Sequence, residues 1–178
     1  MKDLLISTFA AAVMLLFGGV NEVNGDPLTY EVVGDTVTIK DCKETASGTL
    51  AIPSIYEGKP VTSIGSWAFW KCTKLTSITI PDSVTSIGNF TFHSCSDLRS
   101  VTIGNSVTNI MAGAFFRCSS LTSVTIPDSV ISIDRGAFIA CGSLTSIEAS
   151  KGNAQYSCLL YTSPSPRDLS TSRMPSSA

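Results

Sequence analysis

The chain has 178 residues, of which 43% are apolar and 15% are charged, with a formal net charge of −2 and a mean hydropathy of +0.28. A chain of this composition is too apolar to be disordered. Its net charge is close to zero, so it does not have the basic surface that nucleic-acid binding requires. A single histidine, His93, excludes any site that needs two histidines.

The N-terminal segment has the layout of a secretory signal peptide, which we place at residues 1–25. Lys2 precedes an uncharged apolar stretch from Leu4 to Val20, and the chain turns polar at Asn21. A transmembrane anchor is the alternative, but this apolar stretch is short for spanning a bilayer and no basic cluster flanks it. We therefore predict an extracellular or cell-surface location and a mature chain without a membrane span.

Residues 26–60 lie between the signal peptide and a set of internal repeats. Within them, residues 29–40 read as two short β-strands around Gly34 and Asp35, a pair typical of a tight hairpin turn. Repeat domains expose strand edges and core at their ends, and a terminal cap covers them. We therefore predict an N-terminal β-hairpin cap followed by a lead-in to the repeats.

Internal repeats occupy residues 61–157. Four copies of one unit follow each other at a fixed period, at 61–83, 84–106, 107–129 and 130–152. The columns that begin at Val61, Ile64, Phe69 and Leu75 keep their residue type in all four copies. A position that stays apolar while its neighbours vary points into the core, so each copy is predicted to be one coil of a solenoid.

Each coil is predicted to contain one strand and one short helical turn. The stretch from Leu75 to Ile80 ends in apolar–polar alternation, typical of a half-buried strand, and Pro81 and Asp82 end that strand. The stretch from Ala68 to Leu75 spaces its apolar residues by three or four, which favours a short α-helical or 3-10 segment. This α/β plan is that of a leucine-rich-repeat solenoid.

The repeat pattern I-x-x-x-A-F-x-x-C-x-x-L-x-x-I-x-I-P-x-S-V resembles the BspA-type leucine-rich-repeat family of secreted and surface proteins of bacteria and some protists. The resemblance covers about residues 48–157, and the final IEASKGNAQYS looks like the start of further repeats, so we expect the repeats to be truncated near Ser157. The resemblance implies a non-catalytic module for binding or adhesion at a cell surface. Its partner would be an extracellular protein, matrix or glycan.

Two surfaces of the predicted solenoid are candidates for binding. The outward strand positions form a polar, nearly uncharged face that suits a glycan or an extended peptide, although small hydroxyl residues also simply solubilise a strand. These positions are Ser77, Thr79, Ser100, Thr102, Ser123 and Thr125. Four aromatic residues are predicted to point away from the Phe69 core column, either as a partner site or as packing between coils. They are Trp67, Trp70, Phe90 and Phe116.

Four of the six cysteines recur at the repeat period in one column: Cys72, Cys95, Cys118 and Cys141. Residues repeated at the coil period stack on one another, and free cysteine packs as a small apolar group, so we predict a structural ladder of buried thiols. Neighbouring parallel side chains suit disulfide geometry poorly, and a row of thiols does not converge on one metal ion. We expect neither a metal nor a cofactor.

The sequence shows no catalytic arrangement, and we predict that the chain is not an enzyme. His93 precedes Cys95, as a base beside a thiol nucleophile would, but it belongs to the column of Trp70 and not to the cysteine column. Asp82 and Asp128 both lie in Ile-Pro-Asp-Ser stretches, where aspartate forms turns.

Two alternative functions remain open at this point. The repeats would serve as a spacer or targeting arm if the activity of a longer protein lies in a missing C-terminal region. The other alternative is ice or mineral-surface binding by regular threonine columns such as Thr62, Thr85 and Thr108. The coil repeat would set the spacing of these columns.

The C-terminal segment, residues 158–178, is rich in serine and proline and is unrelated to the repeats. It resembles translated sequencing-adapter read-through: Cys158 to Asp168 and Ser172 to Ala178 match two parts of a library adapter, separated by a gap of barcode length. We therefore interpret this segment as non-native. A disordered Ser/Pro-rich tail is the alternative.

Overall fold

The computed structural model describes residues 25–150 and 152–153. The apolar N-terminal stretch and the segment 158–178 lie outside the described residues. Within that described part the chain forms twelve β-strands and no helix, and hence no helix that could cross a membrane. The strands are β1 Leu28–Val33, β2 Thr36–Cys42, β3 Ser47–Ala51, β4 Ile55–Tyr56, β5 Lys59–Ile64, β6 Lys74–Thr79, β7 Ser86–Ile87, β8 Ser100–Thr102, β9 Asn109–Ile110, β10 Ser123–Ile126, β11 Ser132–Ile133 and β12 Ser146–Ala149.

Each coil contributes strand segments to two ladders that run along the solenoid. The first ladder has the order β1-β2-β5-β7-β9-β11, with β4 paired to β5, and the second consists of β3-β6-β8 and β10-β12. Pairing from β5 to β7 and from β6 to β8 is parallel and joins residues one repeat apart, such as Ser63 with Ser86 and Ser77 with Ser100. The period of the sequence repeat is therefore the period of the coils.

The strands of the first ladder within the repeats were not expected. In the first repeat, Val61 and Ile64 are both buried, whereas Thr62 and Ser63 between them are half-buried. Apolar residues three positions apart do not show the alternation that marks a strand. Only two residues of the next copy, Ser86 and Ile87, pair before the chain turns, so the strand is too short for a periodic signal.

The stretch between the two ladders is a series of tight turns. In the first repeat, the backbone N–H of Ala68 donates to the carbonyl of Gly65 and that of Cys72 to the carbonyl of Phe69, at 3.4 and 3.2 Å. Other N–H groups of the same turns donate instead to the following coil, as Phe69 does to Thr91 at 2.8 Å. Hydrogen bonds within a turn thus alternate with hydrogen bonds between coils.

The prediction of α/β coils with one strand and a short helical or 3-10 turn is wrong in this detail, because the backbone is left-handed at every fourth position of the turns. Trp67 and Lys71 have φ angles of 64° and 56°. The equivalent residues of the other repeats also have positive φ: Phe90, Ser94, Gly113, Arg117, Gly136 and Ala140. A right-handed helix needs negative φ at consecutive residues, so these positions interrupt it.

The N-terminal region adds a hairpin and a further coil. Strands β1 and β2 pair antiparallel around residues 34–35, and β2 also pairs in parallel with β5, where Val37 lies opposite Val61. Strand β3 pairs with β6 in the same way, and Leu50 lies opposite Ile78. The partners in both pairs are further apart in sequence than one repeat, so this coil does not follow the fixed repeat period.

The core is a continuous apolar column along the solenoid. Phe69, Phe92, Phe115 and Phe138 stack between successive coils, with centroid distances of 4.9, 5.1 and 5.2 Å. None of these four rings is more than 5% exposed. Full burial of such a side chain stabilises a fold by about 1.5–3 kcal/mol, so this column fixes the position of the turns and of every side chain they carry outward.

Candidate binding surface

Five rings on the turns of the first three repeats form one connected surface, which we call the aromatic cluster: Trp67, Trp70, Phe90, His93 and Phe116. Trp67 stacks on Phe90 with centroids 4.6 Å apart, and His93 stacks on Phe116 at 5.1 Å. Trp67 also meets the edge of Trp70 at 6.5 Å and a tilted His93 ring at 5.4 Å. All four aromatic residues singled out in the sequence belong to this cluster.

The two tryptophans are the most exposed members of the cluster. Trp67 is 46% exposed and Trp70 is 40% exposed, whereas Phe90, His93 and Phe116 are half-buried. The rings therefore pack between coils and also face solvent. The contacts between coils correspond to the packing interpretation, and the partner-site interpretation stays a prediction.

The backbone position of Trp67 and Phe90 is one that glycine adopts without strain. Their φ angles are 64° and 53°, and the next two repeats place Gly113 and Gly136 at the same position. A left-handed conformation costs a non-glycine residue roughly 1–2 kcal/mol. A Cβ atom at Gly113 would overlap the Phe90 ring, so glycine leaves the space that this ring fills.

Two cations border the aromatic cluster. The Lys71 ammonium lies over the Trp70 ring, 4.2 Å from its centroid, and the Arg117 guanidinium lies 5.5 Å from the centroid of Phe116. Such cation–π contacts contribute about 0.5–1 kcal/mol at exposed sites. Among residues 25–150 the one ion pair joins Lys40 to Glu31, so neither cluster cation is neutralised by a carboxylate of this region.

His93 is a half-buried base within the cluster. Its Nδ1 atom lies 2.9 Å from the Ser94 hydroxyl oxygen. Burial lowers the pKa of His93 below its ordinary value, and repulsion from Arg117 and Lys71 lowers it further. The ring is therefore neutral at pH 7, and its stacking on Phe116 is that of a neutral imidazole.

Three residues of the aromatic cluster and its border were not predicted as site residues from the sequence: His93 in the cluster, and Lys71 and Arg117 beside it. The column that His93 shares with Trp70 and Phe116 is the sequence signal that places it in the cluster. A lone lysine and a lone arginine, in repeats that are not adjacent, carry no pattern of their own.

The hydroxyl face lies on the second ladder and is made of the six strand residues predicted from the sequence. Thr79, Thr102 and Thr125 are exposed in successive repeats, and Ser77 is half-buried. The Ser100 hydroxyl donates to the Ser77 hydroxyl at 2.9 Å, so part of the hydrogen-bonding capacity of this face is used between coils. The rest of its hydroxyls form a narrow polar strip.

Hydroxyls of the threonine column considered for ice or mineral binding are also used in hydrogen bonds between coils. The hydroxyl of Thr85 donates to the carbonyl of Thr62, and that of Thr108 to the carbonyl of Thr85, both at 3.1 Å. These side chains therefore support the contact between coils.

The cysteines of the repeats are buried and unpaired. The thiols of Cys95, Cys118 and Cys141 donate to the carbonyls of Phe69, Phe92 and Phe115 in the preceding coils, at 3.0, 3.1 and 3.1 Å. Burial raises the pKa of all three thiols, that of Cys141 to about 12. They are therefore protonated at pH 7, and a protonated thiol is neither a nucleophile nor a metal ligand.

Cys42, which precedes the repeats, lies against Cys72. The Cys72 thiol contacts the carbonyls of Cys42 and Lys43 at 3.6 and 3.7 Å. A hydrogen bond with the Cys72 thiol raises the pKa of Cys42, and burial raises it further. The N-terminal coil thus adds a fifth buried thiol below the four of the repeats.

The geometry assembles no catalytic pair between His93 and Cys95. The Cys95 thiol points into the core toward the Phe69 carbonyl, whereas His93 packs among surface rings. In the described part of the chain, no group of three His, Cys, Asp or Glu side chains is placed to hold a metal ion.

Comparison with known proteins agrees with the repeat architecture. A family model described as BspA type leucine rich repeat region (6 copies) matches residues 44–162, which is more than half of the chain. The match ends inside the segment that we interpret as adapter-derived. No curated protein shows significant similarity to the chain.

Several solved structures of bacterial leucine-rich-repeat proteins are similar to the chain. One from Bacteroides capillosus is 32% identical with a TM-score of 0.64, covering 72% of this chain and 97% of that protein. A leucine rich repeat protein of T. pallidum is 25% identical with a TM-score of 0.59, covering 71% of each chain. A leucine rich cell surface protein of Faecalibacterium prausnitzii is 27% identical with a TM-score of 0.54, covering 76% of this chain and 44% of that one. With its coils, its core columns and this family match, the chain belongs to the BspA-type leucine-rich-repeat family.

Proposed function

We propose that the chain is a non-catalytic binding module that acts outside the cell or at its surface and recognises a protein, matrix or glycan through the aromatic cluster. The observation that carries this proposal is the exposure of Trp67 and Trp70 on neighbouring turn positions of the solenoid. Tryptophan and arginine are over-represented among the residues that dominate binding energy at interfaces.

The rigidity of the solenoid supports this role. The cluster residues are held by the stacked Phe69 column beneath them and by hydrogen bonds from each turn to the next coil, such as Trp67 N–H to the Asn89 carbonyl at 3.0 Å. A surface that is already ordered loses little conformational entropy when it binds. Exposed rings in fixed positions therefore favour binding.

The location is supported by two independent features. The N-terminal residues have the layout of an export signal, and the similar protein of Faecalibacterium prausnitzii is described as a cell surface protein. An exported domain meets soluble proteins, matrix and glycans before it meets any intracellular partner.

The experiment compares two double variants of the full chain. Trp67→Ala/Trp70→Ala removes both exposed indoles. Ser77→Ala/Thr79→Ala is the matched variant, because it also replaces two side chains but does so on the hydroxyl face. Labelled protein is applied to immobilised extracellular-matrix proteins and to a glycan array, with thermal unfolding as the control for folding. We expect the tryptophan variant to lose at least about tenfold in affinity for each bound ligand, and the hydroxyl variant to keep it.

Two results would contradict the proposal. Unchanged binding by a folded Trp67→Ala/Trp70→Ala variant would remove the cluster from the function. Loss of binding only in Ser77→Ala/Thr79→Ala would move the function to the hydroxyl face.

A second candidate function is that of a spacer or targeting arm. The region similar to this chain makes up 44% of the Faecalibacterium prausnitzii protein, so more than half of that protein lies outside the matched region. A spacer would tolerate both double variants, and it would require activity in sequence joined to the repeats. If the wild-type protein binds neither the immobilised matrix proteins nor the glycan array, this result would favour the spacer or targeting arm.

A further inference from the structure

We propose that the ligand of the aromatic cluster is an acidic segment of a partner protein, in which aspartate or glutamate alternates with apolar residues. This inference depends on the proposed function, since it names the chemistry of the partner that the same surface binds. It rests on the charges around the cluster, on the faces of its rings and on the spacing of its cations.

The charge around the cluster is opposite to that of the chain as a whole. The turns that carry it, residues 65–73, 88–96 and 111–119, contain Lys71 and Arg117 but no aspartate or glutamate. The whole chain nevertheless has a net charge of −2. The exposed Asp97 directly follows the second of these turns, and it forms no ion pair with either cation among residues 25–150. A surface with more cations than carboxylates attracts a negative partner and repels a positive one.

Both cations are available to a ligand. Lys71 and Arg117 are exposed, and neither takes part in an ion pair among residues 25–150. They occupy the same position of two repeats that have one repeat between them, so two coil spacings, roughly 10 Å, separate their backbones. In an extended peptide of this kind the carboxylates on one face lie two or four residues apart, about 7 or 13 Å, and the long side chains of Lys71 and Arg117 let two of them reach the two cations.

The rings favour a peptide over a neutral sugar. A sugar binds an aromatic side chain by stacking on an open ring face, and at every ring of the cluster one of the two faces is already covered, which reduces the area on which a sugar can stack. Trp67 and Phe90 cover each other, as do His93 and Phe116, and the Lys71 ammonium covers Trp70. Ring edges carry partial positive charge and accept both carboxylates and the apolar side chains between them.

The arginine gives this surface directional chemistry. A guanidinium binds a carboxylate through two parallel N–H···O hydrogen bonds, which an ammonium cannot do. Arg117 in contact with Phe116 therefore combines a fixed apolar plane with a carboxylate receptor. This combination matches an acidic side chain that has an apolar neighbour.

The test uses two peptides and two double variants of the full chain. The probe is a fluorescent twelve-residue peptide of alternating glutamate and leucine, and its control replaces each glutamate by glutamine. Lys71→Gln/Arg117→Gln removes the cluster cations, and Lys74→Gln/Arg99→Gln removes the same charge from exposed positions outside the cluster. Binding is followed by fluorescence anisotropy at low and high salt, with heparin as a sulfated polysaccharide probe.

We expect the wild-type chain to bind the glutamate peptide at least about tenfold more tightly than the glutamine peptide, with weaker binding at high salt. Lys71→Gln/Arg117→Gln should lose about tenfold in affinity, and Lys74→Gln/Arg99→Gln should keep the wild-type value. Equal losses in both variants would overturn the inference, because they would show unspecific attraction to net charge.

Other results separate this inference from the proposed function. Binding of heparin without binding of the glutamate peptide would overturn the acidic-peptide assignment in favour of a polysaccharide. If neither probe binds while Trp67→Ala/Trp70→Ala still abolishes binding to the immobilised panel, the partner assignment fails and the proposed function stands. If neither probe binds and Trp67→Ala/Trp70→Ala keeps its binding to the immobilised panel, both the partner assignment and the proposed function fail.

Discussion

The solenoid contains two sets of stacked rings that follow the same coils and differ in almost every other respect. The inner set is phenylalanine in all four repeats and is at most 5% exposed. The outer set, the aromatic cluster, changes from tryptophan to phenylalanine to glycine along the column of Trp67. Their centroid spacings are nevertheless similar, 4.9–5.2 Å inside and 4.6–5.1 Å for the two outer stacks. The constant column holds the coils together, and the column that departs from the repeat distinguishes one part of the surface from another.

The sharpest way to separate the two sets is to truncate one ring of each in the same coil. Phe92→Ala should destabilise the chain by about 3–5 kcal/mol, because it opens a cavity in the stacked core. Phe90→Ala should cost about 1 kcal/mol, since that ring is half-buried and a cavity at the surface fills with water. Urea unfolding monitored by circular dichroism measures both changes. Equal losses would show that the outer stack is part of the core.

The next largest effect concerns the glycine under the Phe90 ring. Gly113→Ala should cost about 2–3 kcal/mol, because the new Cβ overlaps the ring and the backbone has a φ of 62°. In a Phe90→Ala background the overlap disappears, and about 1–2 kcal/mol from the left-handed backbone should remain. Urea unfolding of the single and double variants measures the difference.

Gly142→Ala serves as the matched control for that substitution. No atom lies within 4 Å of its added Cβ, so its effect should stay within about 0.5 kcal/mol. If Gly113→Ala costs the same with and without the Phe90 ring, the ring does not depend on the glycine.

A smaller, favourable effect is expected in the fourth repeat. Ala140 is exposed and has a φ of 61°, so Ala140→Gly should stabilise the chain by about 0.5–1 kcal/mol. Ala137→Gly, a buried position that has no positive φ, should instead destabilise it. The midpoints of thermal unfolding compare the two. A loss of stability in Ala140→Gly would mean that the left-handed turn positions are unstrained.

The smallest predicted effect is a pH dependence of the aromatic cluster. The pKa of His93 is lower in the folded chain than its ordinary value near 6.5, so the unfolded chain binds the proton more tightly. Stability should therefore fall as the pH decreases through the ordinary pKa of histidine, and His93→Phe should remove that component. The slope of the melting temperature against pH reports it. An identical slope in the variant would assign the effect to other groups.

Much of the core could be predicted from the sequence, because its columns repeat without change. Phe69 and Leu75 recur in every copy of the repeat, and such regularity requires identical surroundings in each coil. The turns could not be read in the same way, because neither Trp67 nor Lys71 signals a left-handed backbone. Only Gly113 and Gly136 in the column of Trp67 indicate it, and that signal appears once the column is compared across repeats.

The candidate site was predictable in part for a related reason. Trp67, Trp70, Phe90 and Phe116 were identified as aromatic residues outside the core column. Their mutual contacts, and the places of Lys71 and Arg117, depend on the direction in which each turn projects its side chains. That direction follows from the left-handed backbone positions. Because these positions could not be predicted, the places of Lys71 and Arg117 could not be predicted either.

The parallel pairing of equivalent residues in neighbouring coils also affects how such a protein can change during evolution. Because Ser63 pairs with Ser86, and Ile64 with Ile87, gain or loss of one entire repeat unit leaves every other pairing in register. An insertion inside a coil has to be absorbed by a local irregularity, as in the N-terminal coil, where a register shift between Val37 and Thr38 accompanies the longer spacing to β5. Lineages of this chain can therefore lengthen or shorten in whole units, and each duplication supplies a fresh turn on which new surface residues can arise without disturbing the core.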